Sequence, residues 1–265
     1  MRSRVSNRGG DSAPLSPMTE VAWHVSLLVR GGALRATSVL ARRGRDIAIF
    51  DTGLAQHAAS LVAALAVEGV APDDVTLVFN THSHVDHSHN NALFRRARIF
   101  CSARDQAWTR ALYDTLGRVE NPTPEDVLAF YPEMSSALYD AKIVRKVLSI
   151  EKFLWDESRW GHPDQFVWLE ENAPPAGISI IETPGHAPYH VSYAIQTAGR
   201  AVLIAGDALL VRGEAQASLQ LVPPYNLSMY QRSQEIINAF AGLVVPGHDE
   251  PFDNSAAGLT NDHRP

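Results

Sequence analysis

The order of apolar and polar residues predicts two regions rich in β-strands. Each contains short runs of apolar and β-branched residues bounded by Gly, Pro or charged residues, a pattern typical of strands joined by turns. The first region carries VAWHVSLLV, TSVLARRGRDIAIFDTG and DVTLVFNTH, and the second, after Pro175, carries GISIIETPGH, VSYAIQTAG, AVLIAGDALL and GLVVPGH. Helical periodicity is present in HAASLVAALAVEGV and MYQRSQEIINAFA. Strands followed by a helix, twice over, predict an α/β (α+β) fold with two similar halves packed as a sandwich.

Residues 103–172 lie between these regions, and we interpret them as a mainly helical, aromatic-rich insertion. ARDQAWTRALYDTLGRV has helical periodicity, and Thr123 followed by Pro124 is typical of a helix start. SSALYDAKIVRKVLSIEKFLWDE predicts one long helix, although AKIVRKVLSI is also compatible with a strand. Four of the five tryptophans fall in this segment. It is either additional core or dimer surface, or a lid whose apolar wall is built from residues such as Phe153, Trp155 and Trp160.

The 265 residues are 45% hydrophobic, which suits one domain with an insertion. We expect the polar residues 1–17 to be a disordered leader before a domain at 18–265, with Met18 as an alternative start. A net charge of −6 gives no basic footprint for nucleic acid, and no apolar run reaches the ~18 residues of a membrane span. A single cysteine cannot form an internal disulfide, so we expect a cytoplasmic protein.

Histidines crowd the stretch NTHSHVDHSHN at residues 80–90. Four of its side chains are common metal ligands: His82, His84, Asp86 and His87. They follow a predicted strand, and side chains two residues apart on an extended strand point to the same side. Three further residues of ligand type follow apolar runs: His186 in ETPGHAP, Asp207 in LIAGDAL and His248 in VVPGHDEP. Imidazole and carboxylate suit Zn²⁺, Fe or Mn²⁺, so the set predicts a metal site. We interpret His89 and His190 as exposed loop residues.

The motifs FDTG, THSHVDH, TPGH, AGD and VPGH occur in that order and together resemble those of the metallo-β-lactamase-fold hydrolase superfamily. The resemblance covers the chain from about residue 20. It implies a four-layer αββα sandwich with two divalent metal ions along one edge. The implied ligands are His82, His84 and His186 for one ion, Asp86, His87 and His248 for the other, and Asp207 as a bridge. Asp51 of FDTG would support the ligand loop, or else be an ordinary turn aspartate.

The implied chemistry is hydrolysis by a hydroxide that bridges the two metal ions, for which Zn²⁺ is favoured. Asp86 would orient this nucleophile and could take its proton. The ligand pattern resembles the glyoxalase II and lactonase-like branch, so we expect cleavage of a carboxylic ester, lactone or thioester. Two alternatives stay open. One is a phosphodiesterase or nuclease that uses the same metals, and the other is a binding or regulatory protein of low activity that has kept the site.

The expected partner is a small-molecule substrate with an apolar part, held by the apolar wall of the insertion. Leu210 occupies the position three residues after Asp207, where acyl-homoserine lactonases often have a tyrosine. Tyr189 or Tyr225 would therefore contact a lactone in its place. Neither a nucleic acid nor a membrane is expected as a partner, and the insertion would provide the surface of a homodimer.

Overall fold

The computed structural model describes residues 22–32, 35–132, 140–217 and 223–255, which form two facing sheets. The predicted leader, with Met18, lies outside the described residues. The first sheet contains, in both chain and spatial order, β1 (His24–Val29), β2 (Ser38–Arg43), β3 (Asp46–Phe50), β4 (Leu77–Phe79), β5 (Arg98–Cys101) and β6 (Phe166–Trp168). The second contains β7 (Ile178–Glu182), β8 (Val191–Ile195), β9 (Val202–Gly206), β10 (Leu243–Pro246) and β11 (Phe252–Asp253), in the spatial order β11-β10-β9-β8-β7.

The strand directions bring particular loops together. Strands β1, β2 and β3 are antiparallel neighbours, whereas β3, β4, β5 and β6 run parallel. In the second sheet, β7, β8 and β9 are antiparallel neighbours, β10 is parallel to β9, and β11 is antiparallel to β10. The carboxyl ends of β7, β9 and β10 therefore lie at one edge of their sheet, and those of β3 and β4 lie together at one edge of theirs.

Apolar side chains from both sheets fill the space between them. Phe79 stacks against Phe50 and Phe100, with ring centroids 4.8 and 4.7 Å away. Tyr193 of β8 meets the same ring edge-to-face at 5.3 Å. Such offset and edge-to-face contacts are favourable beyond the area that they bury. These four aromatic rings therefore join the two sheets into one core.

A helix covers the outer face of each sheet. The α-helices of the described residues are α1 (Ala58–Val67), α2 (Val85–Ser88), α3 (Ala103–Gly117), α4 (Ala141–Leu154), α5 (Arg212–Ala217) and α6 (Leu227–Ala239). Leu61 and Leu65 of α1 pack on the first sheet, and Ile237 of α6 packs on the second. This order of helix, sheet, sheet and helix confirms the predicted αββα sandwich. None of these helices is long and apolar enough to cross a membrane.

The predicted helix late in residues 103–172 is confirmed for α4. Its first turn forms a helical backbone hydrogen bond from Val144 N to Asp140 O, and the Asp140 side chain accepts the amide hydrogen of Lys142 at 2.7 Å. Val144 and Leu148, four residues apart, share its buried face. The strand alternative for this stretch is therefore wrong. The start of the predicted helix, residues 135–139, lies outside the described residues.

Three described strands, β5, β6 and β11, have no counterpart among the predicted elements. They contain four, three and two residues, and none of them is distinguished from its surroundings as a run of apolar and β-branched residues bounded by turn signals, as the equally short β4 is in DVTLVFNTH. Strand β6 lies within the segment interpreted as mainly helical, and it extends the first sheet beside β5. The end of that segment is thus part of the sandwich.

Phe79→Ala should lower the free energy of unfolding by ~3–5 kcal/mol, because it leaves a cavity between the two rings that it stacks on. Val67→Ala, at a position 88% exposed, should change it by less than ~0.5 kcal/mol. Urea unfolding in the presence of EDTA measures both values without a contribution from bound metal. Equal values for the two variants would contradict the central place of Phe79 in the core.

Candidate metal centre

The loop after β4 carries the first candidate ligands. Strand β4 ends at Phe79, and the chain bends before the short helix α2, so His82 lies in the bend and His84 directly precedes α2. The prediction that an extended strand aligns these side chains is wrong, because the strand ends before them. The bend brings them together instead, with ring centroids 4.5 Å apart.

The second sheet supplies the remaining candidate ligands. His186, Asp207 and His248 follow β7, β9 and β10, whose carboxyl ends share one edge. The ring of His186 lies 5.0 Å from those of both His82 and His84. Likewise, the ring of His248 lies 5.5 Å from that of His87. Residues distant in sequence therefore meet in one cluster because of the strand order.

Among the described residues, three overlapping groups of side chains could hold a metal ion, and the ligand atoms of each group lie within 4.8 Å of one another. The groups are His82, His84 and His186; His82, His87 and Asp207; and Asp86, His87 and His248. The first and the third are the two sets implied by the resemblance. Asp207 lies between them, since its Oδ2 is 3.4 Å from His186 Nε2 and its Oδ1 is 3.4 Å from His248 Nε2.

Hydrogen bonds to one nitrogen of four of these rings determine which nitrogen faces the cluster. The bonded pairs are His82 Nδ1 with Thr81 Oγ1 at 3.1 Å, His84 Nε2 with Tyr131 Oη at 3.1 Å, His87 Nδ1 with Asp51 Oδ2 at 2.8 Å, and His248 Nδ1 with Gly32 O at 2.8 Å. The other nitrogen of each ring is turned inward. Proteins commonly orient metal-binding histidines by such outer hydrogen bonds.

Buried atoms without hydrogen-bond partners show that the cluster fits a cation. Among the described residues, His82 Nε2, His87 Nε2 and Asp207 Oδ1 are buried and form no hydrogen bond. His87 Nε2 and Asp207 Oδ1 lie 3.1 Å apart, but not in hydrogen-bond geometry. A buried polar atom without a partner costs about 1–3 kcal/mol. A divalent cation accepts lone pairs from imidazole nitrogen and carboxylate oxygen, so it would satisfy these atoms.

Burial and charge divide the histidines into two classes. Burial lowers the pKa of His82 and lowers that of His84 to about 3, so both rings are neutral and can donate a lone pair. Burial also opposes charge on His87 and His248, but Asp207 and its neighbouring carboxylates raise the pKa of both, that of His248 to about 10. Metal binding requires neutral imidazole, so a cation bound there would displace protons from these two rings.

Asp51 occupies the supporting position that the resemblance implies. Its carboxylate accepts hydrogen bonds from the amide and the hydroxyl of Thr81, both at 2.8 Å, and lies 2.8 Å from His87 Nδ1. It is buried and has a φ of +52°, a left-handed conformation that is uncommon outside glycine. One carboxylate thus joins the end of β3 to the ligand loop, which an ordinary turn aspartate would not do.

The residues predicted to form an apolar wall are separated in the structure. Phe153 is 86% exposed on α4, so it does not line the cluster. The ring of Trp155 lies 5.4 Å from that of His89, and Trp160 donates from Nε1 to Ser88 Oγ at 2.9 Å. Both tryptophans therefore pack against the ligand loop. Helical periodicity alone did not reveal which side of α4 faces solvent.

Tyr189 and Tyr225, the tyrosines predicted to contact a lactone, occupy different surroundings. Tyr189 is 41% exposed and lines a cavity of about 490 Å³ with Pro184 and Pro188. Tyr225 donates its backbone N–H to His186 O at 3.2 Å, so it lies beside a candidate ligand. Of the two, Tyr225 is the one that the structure connects to the cluster directly.

Sequence reasoning missed two aromatic residues beside His84. The ring of Trp108 lies 6.1 Å from that of His84, and the hydroxyl of Tyr131 is hydrogen bonded to His84. Periodicity predicts Trp108 on a buried helix face but does not say which neighbour it meets. Tyr131 lies outside regular structure, so no pattern signals it.

The prediction that His89 and His190 are exposed is wrong, because each is only 1% exposed. His89 Nε2 accepts the amide hydrogen of Asp156 at 3.2 Å. His190 Nε2 accepts that of Asp207 at 3.1 Å, and its Nδ1 is hydrogen bonded to Thr183 Oγ1 at 2.9 Å. Both rings hold backbone near the cluster, and neither belongs to the ligand groups found among the described residues.

The family model of the metallo-beta-lactamase superfamily matches residues 31–248 of this chain. This chain belongs to that superfamily. The chain is similar to metallo-beta-lactamase domain-containing protein 1 of Homo sapiens. The two are 42% identical over 224 residues, which cover 83% of this chain and 65% of the relative. The Mus musculus protein of the same name is 30% identical over 206 residues, 77% of this chain and 60% of the relative. The chain thus spans less than two thirds of the length of these two relatives.

A solved structure shows the same fold. The structure of this chain is similar to that of AidC, a dizinc quorum-quenching lactonase solved in complex with a product. The TM-score is 0.57 at 14% identity, and the match covers 80% of this chain and 72% of AidC. At this identity the similarity shows the fold alone. The family model confirms the family that the five motifs resemble, and the solved structure agrees with its fold.

Gly247→Ala should disturb the candidate metal centre, because an added Cβ would overlap Asp207 Oδ1 and lie 3.0 Å from the Gly206 carbonyl. We expect the variant to retain less metal per chain than wild type, since the carboxylate must move. Gly213→Ala is a matched control, because a Cβ there meets nothing within 4 Å. Elemental analysis after dialysis measures the metal content. Equal content in both variants would contradict a ligand role for Asp207.

Proposed function

We propose that this chain is a dinuclear metal-dependent hydrolase that cleaves a carboxylic ester, a lactone or a thioester. Membership of the metallo-beta-lactamase superfamily and the His/Asp groups support metal-dependent hydrolysis. The position of Asp207 carries the dinuclear part of the proposal. Its Oδ2 faces His186 and its Oδ1 faces His248, so one carboxylate can serve two cations.

The inward nitrogens and the carboxylates define how the two ions would be held. His82, His84 and His186 would bind one ion, Asp86, His87 and His248 the other, and Asp207 both. Zn²⁺ is favoured by such ligands, with Fe and Mn²⁺ as alternatives. When bound, such ions act as Lewis acids that lower the pKa of water and polarise a carbonyl oxygen. The chain itself fixes the orientation of the ligand rings, because outer hydrogen bonds hold them before an ion binds.

Asp86 is the candidate catalytic residue. Its side chain is 22% exposed, compared with 5% for Asp207 and 2% for Asp51. Its Oδ2 lies 3.2 Å from His248 Nε2, which places it within the cluster. A carboxylate that is both near the ligands and open to solvent can orient the attacking nucleophile and accept its proton.

The substrate is expected to carry an apolar part. Beside His84, the partly buried rings of Trp108, Phe130 and Tyr225 lie next to one another, with Trp108 5.8 Å from Phe130 and 6.1 Å from Tyr225. Sites lined by aromatic side chains favour acyl or aromatic groups. The similarity in fold to a dizinc lactonase makes lactones one class to test. A homodimer formed through residues 103–172, a cytoplasmic location and the lack of a nucleic-acid partner stay predictions.

Asp207→Ala should lower kcat/KM by at least ~100-fold, since even losing an outer partner of a metal ligand costs about 10–100-fold. Wild type should bind about two divalent ions per chain and the variant fewer. Asp164→Ala, whose side chain is 92% exposed, is the matched control and should behave as wild type. Full turnover by the Asp207 variant would contradict the bridging role. Wild type that binds fewer than one ion per chain would contradict the dinuclear centre.

A panel of esters, lactones, thioesters and phosphodiesters separates the substrate classes. We expect turnover of one of the three carboxylic classes, with kcat/KM increasing as the acyl chain lengthens, because the surface beside His84 is aromatic. Preferred turnover of a phosphodiester would favour the phosphodiesterase or nuclease alternative. Full metal content without turnover of any class would favour a binding or regulatory protein of low activity.

A further inference from the structure

Residues 103–172 form hydrogen bonds along the loop that carries the first ligands. These bonds run from Ser83 N to Asp105 Oδ2 at 2.7 Å, between Tyr131 Oη and His84 Nε2 at 3.1 Å, from Asp156 N to His89 Nε2 at 3.2 Å, and from Trp160 Nε1 to Ser88 Oγ at 2.9 Å. Three of these bonds hold residues of the loop that are not candidate ligands, namely Ser83, Ser88 and His89. The bond from Tyr131 reaches a candidate ligand itself.

Packing fixes the hydroxyl of Tyr131 in place. The residue is 5% exposed, and its ring meets Trp108 edge-to-face at 5.4 Å. Its backbone N–H donates to Val127 O at 2.8 Å, which ties it to the turn Pro124–Val127. A buried ring with a fixed backbone has already lost its rotational freedom. It can therefore hold a hydrogen-bonding partner at little additional entropic cost.

We propose that Tyr131 is a positioning residue for the metal centre. Its phenol oxygen lies 3.1 Å from His84 Nε2 and holds the orientation of this ring. When Nε2–H donates to the phenol oxygen, the Nδ1 lone pair faces the cluster. Nδ1 lies 3.1 Å from His186 Nε2, the neighbour with which it would share an ion. The inference rests on the proposed function, because it concerns one ligand of the proposed first ion.

The outer partners of the other histidines come from elsewhere in the fold. Thr81 and Asp51 follow strands of the first sheet, and Gly32 lies between β1 and β2. Among these partners, Tyr131 alone belongs to residues 103–172. Its loss should therefore weaken the ion held by His82, His84 and His186, while the ion backed by Asp51 and Gly32 should be held as before.

Titration of metal-free protein with Co²⁺ tests the proposal without any substrate. Tyr131→Phe removes one oxygen and keeps the ring, and we expect it to weaken one of two Co²⁺ binding steps by about 10–100-fold. The visible absorption spectrum of the Co²⁺ bound in that step should also change, because the orientation of an imidazole ligand is altered. Tyr113→Phe is the matched control, since Tyr113 is 1% exposed and its hydroxyl forms no hydrogen bond to a candidate ligand. It should leave both steps and the spectrum unchanged.

Thermal unfolding of the metal-free variants separates positioning from a general loss of structure. A Tyr131→Phe protein with the wild-type unfolding midpoint but one weakened Co²⁺ step supports the inference. Unchanged affinity and spectrum in Tyr131→Phe, or an equal loss in Tyr113→Phe, would overturn it and leave the proposed function intact. Wild type that binds no Co²⁺ would overturn the proposed function, and this inference with it.

Discussion

The candidate metal centre depends on the meeting of strand carboxyl ends from both sheets at one edge of the sandwich. Strand β4 leads into the loop of His82 to His87, while β7, β9 and β10 lead to His186, Asp207 and His248. Their relative position depends on how the sheets pack, and the stacked rings around Phe79 join those sheets. Core packing and the geometry of the centre are therefore set by the same contacts.

Electrostatics explains the protonation states in this buried group of side chains. Burial disfavours positive charge on His82 and His84, whereas Asp207 favours it on His87 and His248. The cluster thus contains neutral rings, which donate lone pairs, beside rings whose protons balance the carboxylates. Divalent cations would replace those protons and satisfy the unpaired ring nitrogens, so folding prepares the site for metal at a cost to the metal-free protein.

Residues 103–172 have a more internal role than a surface lid. Hydrogen bonds from this segment reach Ser83, His84 and His89, and β6 at its end extends the first sheet. Phe153 is exposed on α4, while Tyr131 reaches the cluster. The segment therefore combines support of the ligand loop with the aromatic surface beside His84, and both properties would shape substrate choice.

The sequence by itself predicted a sandwich and most of its strands, because apolar periodicity is a local property of the chain. The resemblance of its five motifs to the metallo-β-lactamase superfamily implied the four-layer fold and the candidate ligands. The sequence did not show β5, β6 and β11, which are short and which the run pattern did not separate from the chain around them. It also could not show that His89 and His190 are buried or that Tyr131 reaches His84. Those facts depend on contacts between residues far apart in the chain, and only the packing of the two sheets and of residues 103–172 decided them.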